Sequence, residues 1–482
     1  MKKNLPAYLP AAIAIMAAAV LFHVLSGFRF PVPWVDESYF VLQSVAFARH
    51  DSLLSPELIP GRPLMWMPPG YMVLLGGLFK LIGFSLQHAR DLSLVFYCAA
   101  IALYCKVAWS IKANWRLVFV ALIFLMPSSV VVSNVARMEA MILALGVGVL
   151  ASTLAGRFVL AAALVLLGAL IHPNGVYFGL PLVFAMVLRR RELIERIRRT
   201  AAVDWAVLVL ALVLAGLYGA YIGHNLDGFQ TDMAFQFARK LERPPFYHNA
   251  KSLLLLALAL AVTVGMLWRR NESNAIVASF AAVMILIAVN GQEMWYLVFR
   301  NVGLGTLMLV LVAETTQVWL RRGLAVGMVA GYVALAGFGF TGMYPHLGGD
   351  YLGEKATNDL EAGLLERQRS LGGRMTVSFN FTSADLLLLD FMKANGIEQV
   401  RRMPKEITPP RVVDLCVYVA RPEDPPWLRA SWSVDYPDPS LCRYGIAMSL
   451  SRDKASILSA EAYATYYESL RSANEGRPGA PL

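Results

Sequence analysis

Long apolar runs separated by short polar segments fill the first 340 or so positions of this 482-residue chain. A helix needs about 20 mainly apolar residues to cross a bilayer. We predict eleven such spans, near residues 7–28, 68–84, 90–107, 115–133, 137–154, 159–188, 204–223, 251–268, 274–290, 295–313 and 322–341. The pattern therefore predicts a polytopic α-helical membrane protein, with about 11–13 transmembrane helices.

Two of these spans have more than one interpretation. The first begins with Lys2 and Lys3 and resembles a signal peptide, but further spans follow, so we interpret it as a retained helix. The run 159–188 contains the sequence "HPNG" from His172 to Gly175 near its middle. It is either one broken helix or two short helices, and the choice changes the topology by one crossing.

The pattern changes after residue 341, where polar and apolar positions alternate more evenly. The sequences "MTVSFNF" and "DLCVYVA" predict strands, whereas "ADLLLLDFMKAN" and "SAEAYATYYESLRS" predict helices. We therefore expect a transmembrane module at 1–341 and a small α/β domain at 342–482, whose last residues, "NEGRPGAPL", are disordered. If this domain is extracytoplasmic, Cys416 and Cys442 can form a disulfide.

Composition supports a membrane protein, and the placement of charge predicts which side of the membrane each loop occupies. Hydrophobic residues make up 57% of it and charged residues only 16%, against about a quarter in soluble domains. The net charge is +10, and the densest basic cluster, Arg189–Arg199, has six Arg and two Glu. Beside a span such a cluster is typical of the cytoplasmic side, and nothing around it resembles a nucleic-acid-binding module. We then expect the stretches 29–67 and 224–250, and everything after 341, on the extracytoplasmic side of the membrane.

Asp36 and Glu37 stand out in the first outer stretch, 29–67, within the sequence "FPVPWVDESYF". Carboxylates near a membrane are costly to desolvate unless they are paired or used, and adjacent ones repel each other. One interpretation is a general base or a cation-binding pair. The other is that they cap the helix that follows and favour its positive N-terminus. The residues alone leave both interpretations open.

Five further residues are candidates for substrate binding. Arg62 precedes the paired prolines that open the second span, and Tyr71 follows them, so both are expected at the membrane interface. Arg137 and Glu139 interrupt an apolar stretch and are either functional or simply solvated in a turn. His172 interrupts the longest apolar run, where a histidine is commonly a packing residue.

Other polar positions are weaker candidates. Most polar residues in an outer loop are solvated, and we expect the same of those in the second outer stretch: His224, Asp227, Asp232, Arg239, Lys240 and His248. The sequence "NGQEMWYLVFRN" places Glu293 and a Trp-Tyr pair at the end of a span, which is typical of an interfacial aromatic anchor.

The motifs occur in a definite order: "WVDE", "PPGY", "GFSLQHARDLS", "PSSVVVSNVARMEA", "HPNG" and a late "WYL". This order resembles the integral-membrane glycosyltransferases of the GT-C fold. The likeness is greatest to the dolichyl-phosphate-mannose protein mannosyltransferases and the bacterial aminoarabinose transferases acting on lipid A, over roughly residues 1–320. One departure is Met67, where the aminoarabinose transferases have a Lys before the paired prolines.

The resemblance implies a hexosyl- or pentosyltransferase that uses a polyprenyl-phosphate sugar on the extracytoplasmic side of a bacterial inner membrane. Asp36 matches the catalytic acid and Glu37 the second member of the mannosyltransferases' acidic pair. Arg62 and Arg137 are then candidates to stabilise the leaving phosphate. The acceptor would be a lipid, a glycan or a protein. No metal is predicted to be required, although a divalent cation is compatible with the acidic pair.

Two other functions fit a polytopic chain. A transporter or flippase of a lipid-linked glycan usually has paired repeats and polar residues near the bilayer midplane, whereas the polar clusters here fall at the ends of spans. A non-catalytic GT-C-like subunit is expected to have lost the acidic pair, which this chain keeps. The sequence therefore favours an enzyme.

Overall fold

The protein is described here by a computed structural model, which covers residues 8–25, 35–111, 116–241, 249–291, 294–343, 354–379, 386, 388–400, 411–420, 442–451 and 454–458. Within these ranges the first part of the chain is helical. Its helices are α1 (Leu9–Leu25), α2 (Val35–His50), α3 (Gly70–Ile82), α4 (Leu86–Ser110), α5 (Arg116–Leu125), α6 (Pro127–Ser133), α7 (Glu139–Leu154), α8 (Phe158–Ile171), α9 (Gly179–Leu188), α10 (Arg190–Arg198), α11 (Ala202–His224), α12 (Leu226–Leu241), α13 (Ala250–Trp268), α14 (Glu272–Gly291), α15 (Leu297–Glu314) and α16 (Val318–Met343).

Five of these helices, α4, α11, α13, α14 and α15, are long and apolar enough to cross a membrane, by length and composition within the described ranges. A sixth span is possible if α5 and α6 act together across a bend of 65°. Pro127 begins α6 and makes this bend, because a proline has no N–H to continue the preceding helix. The protein is thus a polytopic helical membrane protein, as the apolar runs predicted.

The predicted span 159–188 is broken in the structure. Helix α8 ends at Ile171, a short 3-10 helix follows over Pro173–Phe178, and α9 begins at Gly179. The two sides of the break lie so close that a Cβ on Gly175 would meet the backbone of Gly168 at 2.2 Å. The run therefore consists of two short helices folded against each other, and the break places His172 inside the protein.

Central and peripheral helices differ in what they bury. Helices α7, α14 and α15 bury most of their side chains in one large apolar core. Helix α11 exposes Val and Leu side chains along most of its length, including Leu217, which is 62% exposed. Apolar side chains on the outside of an apolar helix are typical of a surface that faces lipid.

The C-terminal region is a small α/β domain. It consists of α17 (Glu354–Ser370), β1 (Met375–Phe379), α18 (Leu389–Ala394), β2 (Ile397–Gln399), β3 (Val413–Ala420), β4 (Cys442–Ser451) and β5 (Lys454–Leu458). Among the described strands the order is β2-β1-β3-β4-β5, with the β4–β5 pair antiparallel and the other three pairs parallel. The predictions of strands β1 and β3 are confirmed, and the described part of the predicted helix at "ADLLLLDFMKAN" contains the short α18.

A disulfide joins Cys416 of β3 to Cys442 of β4, which are separated by 26 residues in sequence. The sequence had left this pairing open, and the parallel alignment of the two strands brings the cysteines together. The predicted C-terminal helix at "SAEAYATYYESLRS" and the predicted disordered tail lie outside the described residues.

The domain rests on α2 and on the loop that follows it. Arg49 Nη2 donates to Asp390 Oδ1 at 2.9 Å, and Lys393 Nζ lies 3.7 Å from Glu57 Oε1. Burial lowers the pKa of Lys393, and the Arg49 charge lowers it further, while Glu57 acts in the opposite direction. Leu389 of α18 joins the apolar core of the transmembrane helices. The domain therefore contacts the far end of the helix that begins with the acidic pair.

Candidate active site

The acidic pair lies in the first turn of α2, and its two side chains have different surroundings. The Glu37 side chain is fully buried, whereas the Asp36 side chain is 27% exposed. Successive helical residues point about 100° apart, so one side chain can face the core while its neighbour faces outward. The pair is therefore not one functional unit, and each carboxylate has its own set of partners.

Glu37 is part of a buried ion pair with Arg90 of α4. Arg90 Nη2 donates to Glu37 Oε1 at 3.0 Å, Arg90 Nε donates to Oε2 at 3.2 Å, and both side chains are fully buried. The backbone N–H of Ala136 also donates to Glu37 Oε2, at 2.8 Å. A buried carboxylate is stable only with such a complete set of partners. Glu37 thus joins α2, α4 and the turn between α6 and α7.

Asp36 is part of a second cluster, centred on Arg137. The Arg137 Nη1 donates to Asp36 Oδ2, while Nη2 donates to Glu139 Oε1 at 2.7 Å and Nε donates to Oε2 at 3.1 Å. The guanidinium lies between two rings, 5.6 Å from the centre of Phe40 and 5.1 Å from that of Trp295. Rings and carboxylates together fix the position of this cation. Arg137 and Glu139 are therefore buried and paired, which excludes the solvated-turn interpretation.

Among the described residues, the two clusters carry an excess of negative charge. Asp36, Glu37 and Glu139 contribute three carboxylates, and Arg90 and Arg137 contribute two guanidiniums. The exposed member of this set is Asp36, whose Oδ1 accepts no hydrogen bond within the described part of the chain. The unmatched carboxylate oxygen thus lies at the outer edge of a fixed group of charges.

Tyr71 lies behind the acidic pair rather than at the membrane interface, where the sequence placed it. Its side chain is fully buried and its ring contacts Phe40 edge-on, with 6.3 Å between the centres. The hydroxyl lies beside Ser93 but makes no hydrogen bond of normal geometry in the described chain. Ser93 Oγ itself donates to the carbonyl of Arg137 at 3.2 Å. Tyr71 therefore packs under the site, and its predicted contact with substrate would require movement.

His172 lies at the break between α8 and the 3-10 helix, and it is buried. Its Nδ1 accepts from the backbone N–H of Asn174 at 3.0 Å, so a neutral ring carries its proton on Nε2. Nε2 lies 3.1 Å from the hydroxyl of Tyr296. His172 therefore borders the Arg137 cluster through Tyr296 and caps a helix.

Arg62 lies in a separate ion pair with Asp232 of α12. Its Nη2 donates to Asp232 Oδ1 at 2.7 Å and its Nη1 donates to Oδ2 at 3.0 Å. The backbone N–H of Met65 donates to the same carboxylate at 2.6 Å, and Asp232 is fully buried. The prediction that residues of the second outer stretch are solvated is wrong for Asp232. This pair fixes α12 against the loop between α2 and α3.

Three contributors to the site were not identified from the sequence. Arg90 was given no role beyond its place in the motif "GFSLQHARDLS", and Trp295 and Tyr296 were predicted only as an interfacial anchor, yet all three are buried at the site. The sequence did offer a signal for each of them, because Arg90 is a charge beside a predicted span and Trp295 and Tyr296 are an aromatic pair beside another. Of the weaker candidates, His224 and Asp227 are exposed, while His248 and Glu293 lie outside the described residues.

Within the described ranges, no group of three or more His, Cys, Asp or Glu side chains has the arrangement of a metal site. The carboxylates of the site are instead engaged with guanidiniums, as their distances show. The arrangement supports acid–base and electrostatic chemistry, because a partly exposed carboxylate lies beside fixed cations.

Comparison with known proteins gives one structural relative to report. The chain is similar to the crystal structure of ArnT from Cupriavidus metallidurans bound to undecaprenyl phosphate, with 16% sequence identity and a TM-score of 0.44. The match covers 66% of this chain and 63% of that chain, slightly less than two thirds of its length. No protein-family model matches the chain, and no curated protein matches its sequence. At this degree of likeness, the chemistry of the site must follow from its own side chains.

Proposed function

We propose that this protein is a membrane glycosyltransferase that moves a sugar from a polyprenyl-phosphate donor to an acceptor hydroxyl. The reaction takes place on the extracytoplasmic face of a bacterial inner membrane, with inversion at the anomeric carbon. The observation that carries the proposal is the division of the acidic pair. Glu37 is fully buried against Arg90, which leaves Asp36 as the exposed carboxylate, oriented by Arg137.

In the proposed reaction Asp36 is the general base. The acceptor oxygen attacks the anomeric carbon, its proton passes to the unmatched Oδ1 of Asp36, and the bond from the anomeric carbon to the phosphate oxygen breaks. The electron pair of that bond leaves with the polyprenyl phosphate. A base in this position contributes roughly 10²–10⁴-fold to the rate. Arg137 holds Oδ2 and so fixes which carboxylate oxygen faces the acceptor.

Asp36→Asn tests the base. The amide keeps the shape of the side chain and its exposure, so we expect normal insertion and thermal stability. Transfer of sugar from a polyprenyl-phosphate donor should fall by roughly 10²–10⁴-fold, measured on purified protein in nanodiscs. Asp227→Asn, the same exchange at an exposed carboxylate in the first turn of α12, is the matched control that leaves the acidic pair in place. Full turnover by the Asn variant would exclude Asp36 as the base.

The donor class is tested separately, by mass spectrometry of lipids that copurify with the protein. A polyprenyl-phosphate sugar supports the proposal. A transported glycan without transfer, or only ordinary phospholipids, would favour a transporter or a non-catalytic subunit instead.

A further inference from the structure

A cavity of about 530 Å³ lies between the turn that joins α7 to α8, helix α10 and the start of α11. Helix α7 begins with Glu139 in the candidate active site and ends at Leu154, directly before the cavity. Its sixteen residues extend about 24 Å, which is most of the thickness of a bilayer core. The cavity therefore lies toward the opposite membrane surface from Asp36, the side predicted to be cytoplasmic.

Paired charges line this cavity. Arg157, in the turn between α7 and α8, donates from Nε to Asp204 Oδ2 at 3.1 Å and from Nη2 to Asp204 Oδ1. Arg196 of α10 donates from Nε and Nη2 to one oxygen of Glu192, at 2.9 and 2.5 Å. The Nη1 group of each arginine makes no hydrogen bond within the described residues. Both guanidiniums therefore keep donors that an anion in the cavity can use.

Gly156 allows the Arg196 guanidinium to approach the backbone at the cavity wall. A Cβ at this position would lie 2.1 Å from Arg196 Nη1, so a larger residue would displace the side chain. Gly156 also has a φ of +73°, a conformation that favours glycine. One turn of the chain thus positions Arg157, which is the next residue, and makes room for Arg196.

The helix beside the cavity is strongly positive. The segment Arg189–Arg199 contains six Arg and two Glu. Arg190, Arg191 and Arg198 make no ion pair with the described part of the chain. Since the charges that line the cavity are paired, these three unpaired arginines determine the sign of the surrounding potential. Such a surface next to a membrane attracts anionic lipid headgroups.

The cavity adjoins a surface that faces lipid. Asp204, which lines the cavity, lies in the first turn of α11 between Val203 and Trp205, which are 60% and 44% exposed. On the α10 side, Ile194 is 65% exposed. Tryptophan is enriched at membrane interfaces, and a basic helix with apolar residues lies well in the interface plane. The surroundings therefore suit a ligand with a charged headgroup and an apolar part.

We propose that this cavity binds the headgroup of an anionic phospholipid, with Arg157 and Arg196 donating to its phosphate. The lipid comes from the leaflet opposite the Asp36 site, and the assignment does not depend on the proposed sugar transfer. Guanidiniums bind phosphate through short charge-assisted hydrogen bonds. The exposed Arg196–Glu192 pair contributes little to stability, so Arg196 can share its donors with a phosphate. The acyl chains then lie along the exposed apolar side chains of α11.

The experiment is native mass spectrometry of the full-length, detergent-purified protein, titrated with phosphatidylglycerol and separately with phosphatidylcholine. The wild type should bind phosphatidylglycerol more tightly, and Arg196→Gln should weaken this binding by about tenfold, the effect of losing a charge-assisted hydrogen bond. Arg190→Gln is the matched control, because it removes the same charge from α10 outside the cavity. An equal loss in both variants would show a general effect of surface charge and would overturn the assignment.

Gly156→Ala tests the geometry without removing a charge. The new methyl group should displace the Arg196 guanidinium, so the affinity for phosphatidylglycerol should fall by about tenfold as well. Gly83→Ala is the control for backbone strain, because Gly83 has a φ of +82° and open space around its Cβ position. A Gly156→Ala protein with the affinity of the wild type would overturn the role of Arg196.

The location and the source of the phosphate are tested with two further probes. Phosphatidylglycerol with brominated acyl chains should quench the tryptophan fluorescence of the wild type, and a smaller fraction of it in Trp205→Phe. An equal fraction in both proteins would place the lipid away from the cavity. Glycerol 1-phosphate that binds as tightly as the lipid would show a site for a soluble phosphate ester. Either result, or equal affinity for phosphatidylcholine, would overturn the proposal.

Discussion

Two regions of this protein contain the same residue types in similar numbers and use them differently. The site at the start of α2 pairs Glu37 with Arg90 across 53 positions and Asp36 with Arg137 across 101, and the Glu37 pair is fully buried. Helix α10 and its C-cap residue Arg199 contain two pairs, Glu192 with Arg196 and Glu195 with Arg199, each four residues apart and at 2.5 Å. All four of these side chains are more than a third exposed.

The difference is in the surroundings rather than in the distances. An exposed pair competes with water and salt, so it contributes little to stability even at short range. A buried pair does not compete with water, but each member depends on the other, because an unpaired buried charge is costly. In this chain, the buried pairs are therefore the ones whose disruption has large consequences for both fold and chemistry.

The largest effect is expected for Glu37→Gln. The amide leaves the buried Arg90 guanidinium without its counter-charge, which costs about 3–5 kcal/mol of folding free energy. The measurement is thermal or denaturant unfolding of the detergent-purified protein. Replacing both partners, with Glu37→Gln and Arg90→Met, should recover part of the loss. A Glu37→Gln protein as stable as the wild type would show that the buried pair contributes no more to stability than the exposed pairs of α10.

A smaller effect is expected for Arg137→Lys. Lysine keeps the positive charge but lacks the planar fork that contacts Asp36 and Glu139 together. We expect transfer to fall by about thirtyfold, equivalent to about 2 kcal/mol of transition-state stabilisation. The loss should appear in kcat, measured by steady-state kinetics with the donor varied. An equal loss for Arg196→Lys in α10 would show that the site does not depend on this geometry.

The smallest effect is expected for Glu192→Gln in α10. Its partner Arg196 remains solvated when the carboxylate is removed, so the change in stability should be below about 0.5 kcal/mol. Unfolding at low and high salt provides the measurement, because any small contribution should disappear as the ionic strength rises. A loss comparable to that of Glu37→Gln would mean that exposure does not govern these pairs.

The same contrast explains how much could be predicted from the sequence. Apolar runs of the right length predicted most of the helices, because a long apolar segment indicates by itself that it is buried or faces lipid. They did not predict α12, whose 16 residues are mixed in polarity and owe their position to Asp232 and Phe235. Pairs four residues apart, as in α10, can also be read directly from helical spacing.

Pairs that join distant elements cannot be read in this way. Asp36 and Glu37 were recognised as candidates, but nothing local distinguishes the exposed member from the buried one. Their division depends on Arg90 and Arg137, which only the packing of α4 and the turn before α7 brings to α2. For the same reason Arg62 was expected to be available to a phosphate, whereas its partner Asp232 lies 170 positions away.

The two ends of helix α2 contact different parts of the protein, so a tilt of the helix at one end moves the residues at the other. Its 16 residues extend about 24 Å, with Asp36 held at one end and Arg49 bound to Asp390 of the C-terminal domain at the other. A tilt of about 2.5° in a rod of this length moves its tip by about 1 Å, a displacement that can change a reaction rate by about a hundredfold. The C-terminal domain therefore contacts the helix whose opposite end carries Asp36, so a shift at that contact can move a carboxylate that the domain does not touch.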